Sequence, residues 1–371
     1  GGGARVEVPP PMPSGVDIRI GADARRTDGE SRELFSFVAG EPTRRRLAGG
    51  VTWTAGGFAE ASVELGSALL TGGARIDHWR ISDGHLFEKV IDGDAVLRDE
   101  DYPGRDGWLP TARLGAAIPL ASHLSLRSAA YLGWRMPTLN ELFRPFRAGP
   151  DATAANPDLD PERLAGAEIG VDYARGPLRL SATGFINRLK DGIANVTLGE
   201  GPGVFPGVGF VPAGGQFRQR QNLDSIRVKG VEASAEWTRG PWSLRAGLSL
   251  THARVHGEGA ASPLDGLRPA QTPNHSGTLA FGWDRDGRAA QLVLRHVGSQ
   301  YEDDLNERSL DRATTVDALV SWPLTKRLQL VARGENLTDT LVMATLLGDG
   351  AVERASPRTL WIGLRLGDPA R

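Results

Sequence analysis

Along "LSLRSAAYLGW" the apolar residues Leu124, Leu126, Ala130, Leu132 and Trp134 alternate with Ser125, Arg127 and Tyr131. The same period of two runs through "WSLRAGLSLTHA", where Trp242, Leu244, Ala246, Leu248 and Leu250 oppose Ser243, Arg245, Ser249 and Thr251. It recurs in "LRLSATGFIN" (Leu178, Leu180, Ala182 and Ile186 against Arg179, Ser181, Thr183 and Asn187) and in "RTLWIGLRL" (Leu360, Ile362, Leu364 and Leu366 against Thr359, Gly363 and Arg365). Successive strand side chains point to opposite faces, so each segment is a strand with one apolar face and one polar, arginine-bearing face. Extending this template along the chain gives roughly 14 strands, with cores near 16–26, 51–65, 68–82, 107–120, 124–136, 163–175, 178–194, 217–238, 242–256, 274–284, 289–301, 313–323, 328–338 and 357–367. Helical periodicity is nearly absent; "PTLNELFRPF" has room for one short turn, with Leu139, Leu142 and Phe143 sharing a face between flanking prolines.

The connections alternate in length. "ASH", "ARGP", "TRGP", "DRDGR" and "PLTKR" are short, whereas "MPTLNELFRPFRAGPDATAANPDLDPE", "VTLGEGPGVFPGVGFVPAGGQ", "HGEGAASPLDGLRPAQTP", "YEDDLNERSLD" and "TDTLVMATLLGDGAVERAS" are long. All short turns therefore lie at one end of the sheet and all long loops at the other. Outer-membrane barrels have this asymmetry, with tilted strands of about ten residues. The expected fold class is thus all-β, an antiparallel transmembrane β-barrel. Tyr131, Trp134, Trp237, Trp242, Trp283, Tyr301, Trp322 and Trp361 lie near strand ends, where interfacial girdles of such a barrel would sit.

Composition narrows the classes. The 371 residues include 48 glycines, a share well above the usual level of about 7%, and a mean hydropathy of -0.27. Glycine weakens helices but suits bending strands. The lack of a long apolar run excludes a membrane-spanning helix and leaves a barrel open, since barrel strands are apolar on alternate residues only. A net charge of -2 provides no basic footprint for nucleic acid. Without cysteine there is no disulfide, thiolate metal site or cysteine nucleophile. The opening "GGGARVEVPPPMPSG" carries no basic and then apolar leader, so residues 1–15 read as a Gly/Pro-rich loop or the start of a processed form or fragment, or else the protein is cytosolic.

Catalytic signatures are missing. "GPGVFPGVGF" lacks the Lys-Ser/Thr ending and following helix of a phosphate loop. His78, His252, His275 and His296 are dispersed over strands. "YEDDLNE" groups Glu302, Asp303, Asp304 and Asn306 as either Ca²⁺ ligands or a solvated acidic loop. The expectation is a protein that is not an enzyme and carries no cofactor or resident metal.

The segment "GWRMPTLNELFRPFR…ANPDLDPERLAGAEIGVDY" resembles the middle of TonB-dependent outer-membrane receptors, where a strand enters an "R-x-P-T-L-N-E-L" loop and returns through "N-P-x-L-x-P-E". "FINRLKDGIANV", "RQNLDSIRVKGVEASAEW", "RGENLTDT" and "PRTLWIGLRL" resemble that family's later barrel landmarks in order, so the likeness runs from about residue 50 to residue 366. The resemblance implies a 22-stranded barrel in the outer membrane, closed by an N-terminal plug and energised by a TonB complex. It implies uptake of a small-molecule or metal-chelate ligand, such as a ferric siderophore or cobalamin, through long extracellular loops. This chain reads as the C-terminal β-barrel portion over residues 1–371, with the plug absent, TonB contacted only through that plug, and outer-membrane lipid as a further partner. The alternative is a complete 14-stranded passive channel.

On that reading the loop candidates for ligand contact are Asn140, Glu141, Arg144, Arg147, Arg220, Asp303 and Asp304. Arg144 and Arg147 present guanidinium forks suited to carboxylate, catecholate or phosphate groups, or else pair with loop acids such as Asp158, Asp160 and Glu162. Gly166, Gly170, Gly230 and Gly334 are expected at coils or bulges of the wall. Arg127, Arg179, Arg245 and Arg365 are expected to face the lumen, toward a plug or a hydrated channel.

Overall fold

The computed structural model describes residues 1–10, 15–93, 95–347 and 350–367. In chain order its first strands are β1 (Gly2–Val8), β2 (Val16–Val38), β3 (Glu41–Leu65), β4 (Ala68–Val90), β5 (Val96–Tyr102), β6 (Arg105–Ala121) and β7 (Leu124–Arg135). A short helix, α1 (Leu139–Phe143), and two loop strands, β8 (Phe146–Ala148) and β9 (Asp151–Ala154), separate these from β10 (Glu162–Arg175) and β11 (Leu178–Lys190). Loop strands β12 (Ile193–Glu200), β13 (Gly203–Phe205), β14 (Gly209–Val211) and β15 (Gln216–Asn222) precede β16 (Ser225–Arg239), β17 (Trp242–His256), β18 (His275–Arg285) and β19 (Arg288–Val297). The chain closes with β20 (Gln300–Tyr301), β21 (Ser309–Leu310), β22 (Ala313–Pro323), β23 (Leu328–Glu335), β24 (Met343–Leu346), β25 (Val352–Arg354) and β26 (Thr359–Leu366).

One antiparallel sheet takes the order β1-β2-β3-β4-β6-β7-β10-β11-β16-β17-β18-β19-β22-β23-β26, with β5 on the side of β4. This path has one strand more than the expected 14. The addition is β1, which pairs with β2 from Val8↔Ile20 to Gly2↔Arg26. Its glycines suggest a loop, but "ARVEV" alternates and satisfies the edge of β2. Among the described residues β1 and β26 each pair with a single neighbour, so this sheet does not close on itself as a complete 14-stranded channel would. The segment 217–238, expected as one strand, is two: β15 belongs to a loop sheet and only β16 to the wall.

Every connection alternates in side, as the loop lengths require. Turns at Leu65–Ala68, Arg175–Leu178, Arg239–Trp242 and Arg285–Arg288 close one end. The long loops emerge at the other end. There β2 and β3 stay paired far above the wall, up to Val38↔Glu41, where Ala39 and Gly40 both take positive φ (51 and 86) in a two-residue turn. Such a turn matches the twist of a hairpin. At about 3.3 Å per residue, 23-residue strands reach roughly 75 Å, more than twice what a membrane crossing needs.

The outward face is apolar. Leu132, Ile169, Val171, Leu180, Ile186, Val231, Leu248 and Leu279 are all about half exposed, and small residues sit opposite several of them, as in Ala165↔Leu132, Val171↔Ala182 and Ala233↔Leu248. Near the short-turn end Trp242 stacks on Phe281 at 5.4 Å and lies 6.3 Å from Trp283. Higher on the same outward face His78 sits between Trp53 and Trp108, at 5.8 and 4.8 Å. His78 is roughly ten residues up β4 from its turn, which is about 33 Å of strand and about 23 Å of height at a 45° tilt. These two aromatic layers bracket an apolar band of the thickness a barrel presents to lipid. Three expected girdle residues lie elsewhere. The Tyr131 hydroxyl donates into the lumen to Asn187 Oδ1 (2.9 Å), the Trp134 indole donates to Asp77 Oδ2 (3.0 Å), and Tyr301 packs under Arg268 in the loop layer (4.4 Å).

The inward face is polar and cross-paired. Arg127 donates to Asp172 (3.0 Å) and Ser181 (3.1 Å), and Glu236 stands between Arg179 and Arg245 in register. The glycines expected at bulges instead make room: at Gly166 a Cβ would lie 2.0 Å from Asn187 Oδ1 and 2.5 Å from the Tyr131 ring, and at Gly230 it would meet the Phe185 ring at 2.5 Å. Neither interrupts its register.

An arginine placed on the outward face at mid-band, Leu248→Arg, is expected to destabilise the wall by about 2–4 kcal/mol, whereas Ser234→Arg on the lumen face should cost little. Urea unfolding from lipid bilayers measures both, and equal costs would contradict the assignment of faces.

Candidate functional site

The long loops fold into a layer of their own. β12-β15-β9-β8 form a four-stranded sheet above the wall, in which β15 and β9 run parallel. Phe205 stacks on Phe217 at 4.7 Å over Ala152, Ala154 and Val211, which are buried. Beside it α1 begins with a capping box: Thr138 Oγ1 accepts from Glu141 N (3.2 Å), and Glu141 Oε2 accepts from Thr138 N (2.6 Å). Leu142 and Phe143, on the face they are expected to share with Leu139, are buried and pack with Trp79, Ile81 and Leu159, and Tyr102 stacks on Phe143 at 5.2 Å.

This layer positions the seven candidate residues, and it separates them. Glu141 is held by Arg135 (2.8 and 3.1 Å), which also binds Glu162. Burial would raise the Glu141 carboxyl, but the bonds from Arg135 and Thr138 prevail and hold it below the usual carboxylate range. Arg220 is buried; its Nη1 donates to the carbonyls of Asn140 (2.5 Å) and Arg144 (2.9 Å), and its guanidinium lies 5.0 Å over the Phe146 ring. It thereby satisfies the orphan carbonyl of Arg144 just past α1 and adds a second donor to that of Asn140, which already accepts from Arg144 N (3.2 Å). Burial lowers its pKa, partly offset by Glu141. Asp303 accepts from the backbone of Glu307 (3.1 Å) and Arg308 (2.7 Å), and Asp304 accepts from Thr197 N and Oγ1 (2.7 Å each). Asn306 Oδ1 likewise accepts from Arg268 N (2.9 Å), so the oxygens of "YEDDLNE" serve loop donors. Asn140 lines a cavity of about 760 Å³ on the lumen side, with Arg75, Asp77 and Trp134.

Arg144 and Arg147 do come together. They line a cavity of about 1250 Å³ enclosed by the β2–β3 hairpin, the end of β4, β5, the segment after α1, and β14. Its wall carries five guanidinium groups, Arg44, Arg46, Arg98, Arg144 and Arg147, against three carboxylates, Glu33, Glu88 and Glu100. Phe35, Phe37, Phe146 and Phe210 supply aromatic surface. Arg144 binds Glu33 (Nε, 2.6 Å), Arg46 binds Glu88 (2.6 Å) and stacks over Phe35 (4.1 Å), and Arg98 binds Glu100 (3.0 Å). Arg147 has only neutral acceptors, the carbonyls of Val208 and Phe210, both at 2.7 Å. Burial lowers its pKa, and Arg46 and Arg44 lower it further. Arg44 is exposed and makes no ion pair among the described residues. The excess positive potential in this cavity is therefore concentrated on Arg44 and Arg147.

Arg44, Arg46 and Arg98 are not among the candidates that the sequence motifs point to. The run "TRRRL" carries a usable signal, since a strand through three arginines must put Arg44 and Arg46 on one face, beside Glu33 and Phe35 by register.

An extracellular loop layer over a lipid-facing, polar-lined antiparallel wall defines an outer-membrane receptor barrel. The profile of the family "TonB dependent receptor-like, beta-barrel" matches residues 12–337, and the chain belongs to this family. The vitamin B12 transporters BtuB of Vibrio vulnificus and Photobacterium profundum are 24% and 25% identical over 255 and 300 residues, covering 69% and 79% of this chain and 36% and 43% of theirs. The crystal structure of the ferric yersiniabactin uptake receptor FyuA from Yersinia pestis superposes with a TM-score of 0.71 at 17% identity, over 96% of this chain and 52% of that one. The chain thus spans less than half the length of these two curated relatives.

Because the folded Glu141 carboxyl sits below its ordinary value, its contribution to docking α1 is present above the ordinary carboxylate range and is lost as pH falls through the depressed value. Protection against amide exchange over residues 136–161, taken relative to intrinsic rates, is expected to hold through the ordinary carboxylate range and to fall only at more acid pH, and Glu141→Gln should remove that acid step. Arg220→Met leaves the Arg144 carbonyl just past α1 without its donor, at about 1–3 kcal/mol, and should raise proteolytic cleavage of the same segment roughly tenfold; unchanged cleavage would contradict its bracing role.

Proposed function

We propose that this barrel serves ligand uptake: it captures a scarce small molecule or metal chelate in the cavity under the β2–β3 hairpin and passes it through the lumen, with import energised by a TonB complex acting through a plug. The observation that carries this reading is Arg147, an exposed cation whose hydrogen-bond partners are neutral, facing an arginine-rich, phenylalanine-lined cavity together with the unpaired Arg44. Clustered guanidinium groups without enough counter-ions repel one another, and an anionic ligand removes that repulsion. Guanidinium forks bind carboxylate and catecholate oxygens in pairs of charge-assisted bonds. Among the ligand classes compatible with the family, the cavity therefore favours a negatively charged metal chelate of the siderophore type over cobalamin. Arg144 contributes while it remains bonded to Glu33; Asn140, facing the lumen cavity, is placed to meet the ligand afterwards. Glu141, Arg220, Asp303 and Asp304 act by holding the loops in place. No catalytic step enters this reading.

The test compares ferric tris-catecholate, which is anionic, with a neutral ferric trihydroxamate and cyanocobalamin in equilibrium titrations of the purified protein. The anionic chelate should bind at least about tenfold tighter than either, and Arg44→Ala combined with Arg147→Ala should remove about 1.5–3 kcal/mol per charge-assisted bond lost. Equal affinities, or a double variant that binds normally, would overturn the reading.

A further inference from the structure

The outward face of β10, β11, β16 and β17 carries a second surface, separate from the loop cavity. In register, Arg188 pairs Arg227 and Arg227 pairs Arg254; one row lower Ile186 pairs Lys229 and Lys229 pairs His252. Like charges directly opposite one another in a sheet repel. Three acids at the upper edge reach this patch: Asp224 lies 3.7 Å from Arg188, Asp191 2.9 Å from Arg163 and Asp265 3.4 Å from His256. Among the described residues Arg227, Lys229 and Arg254 have no carboxylate partner, and Arg254 bonds only the carbonyl of Ala253 (2.9 Å). A groove of about 590 Å³ runs between these basic side chains.

Directly below, the groove continues as an apolar trough of about 710 Å³, walled by Ile169, Ile186, Val231 and Leu250. Its floor is low because Ala167 and Gly184 carry little or no side chain. His252 is roughly ten residues up β17 from Trp242, about 33 Å of strand. That is the same distance above the short turns at which Trp53, His78 and Trp108 mark the upper aromatic layer on β3, β4 and β6, farther along the same wall. The basic end therefore lies at headgroup level and the apolar end within the band that faces acyl chains.

We propose that this groove is a binding site for a phosphate-bearing membrane lipid, with the phosphate between Arg188, Arg227 and Arg254 and an acyl chain along Ile169, Ile186 and Val231. The cationic end alone would suit any small anion, and the trough alone any hydrocarbon; their continuity at this depth fits one amphiphile. The bound phosphate neutralises the opposed arginines, which otherwise repel across three strands.

Native mass spectrometry of the detergent-purified protein tests the site, with phosphatidylglycerol and phosphatidylcholine of identical acyl chains as probes. Phosphatidylglycerol should be retained with at least about tenfold preference. The triple variant Arg188→Gln/Arg227→Gln/Arg254→Gln should lose that preference, while Arg285→Gln/Arg288→Gln at the short-turn end should keep it. Ile186→Trp, which fills the trough, should weaken lipid retention without touching the arginines. Equal retention of the two lipids, an unchanged triple variant, or complete displacement by millimolar inorganic phosphate with Ile186→Trp having no effect would overturn the proposal. Heat-modifiable migration on gels, equal to the parent's, shows that each variant is folded.

Discussion

The structure depends on one constraint: in hydrocarbon every backbone N–H and C=O must find a partner within the protein. A sheet of antiparallel strands meets it through ladders between neighbours, and here every wall strand between β1 and β26 is laddered on both sides, leaving only the outer edges of those two without a partner among the described residues. Once that path is fixed, period two assigns each side chain to lipid or lumen, and the residues that break the apolar face acquire meaning. Arginines opposite arginines on an otherwise apolar wall, as at Arg188 and Arg227, are one such break. Trp134, drawn off the girdle by Asp77, is another.

Above the membrane the same constraint is relaxed, and the loops solve their own folding problem. They bury polar groups in pairs: Arg220 against the carbonyls of α1, Asp303 against its own loop backbone, Asp304 against Thr197. These bonds make the loop layer a fixed frame around its cavity. Where pairing stops, at Arg147 and Arg44, the cavity keeps a positive charge for something else to meet. Fixed loops with an uncompensated charge are preorganised for binding, because little ordering remains to be done when the ligand arrives.

The wall is legible in the sequence because lipid and lumen impose opposite chemistry on alternate residues, as in Leu244, Arg245, Ala246. The helical turn is legible too, since Leu139, Leu142 and Phe143 share a face between prolines. The extension of β2 and β3 through residues 27–50 is not: "TDGESRELFSFVAGEPTRRRLAGG" stands in water on one side and against loops on the other, so no apolar stripe marks it. Arg147 is recognisable from its motif as a residue of the mouth, but its partner Arg44 lies about a hundred residues away and meets it only through the hairpin. Gly166 and Gly230 resemble bulges because sequence shows a missing side chain and not the ring that fills the space.

The central claim, that the β2–β3 hairpin stands outside the cell and forms one wall of a ligand cavity, can be tested directly because the chain contains no cysteine. Ser36→Cys at the cavity and Ser67→Cys in a short turn each give one label site. With a membrane-impermeant maleimide on intact cells, Cys at position 36 should react at once, should be protected by ferric tris-catecholate, and should contrast with position 67, which should react only after lysis. Labelling of position 67 on intact cells, or of position 36 only after lysis, would contradict the account.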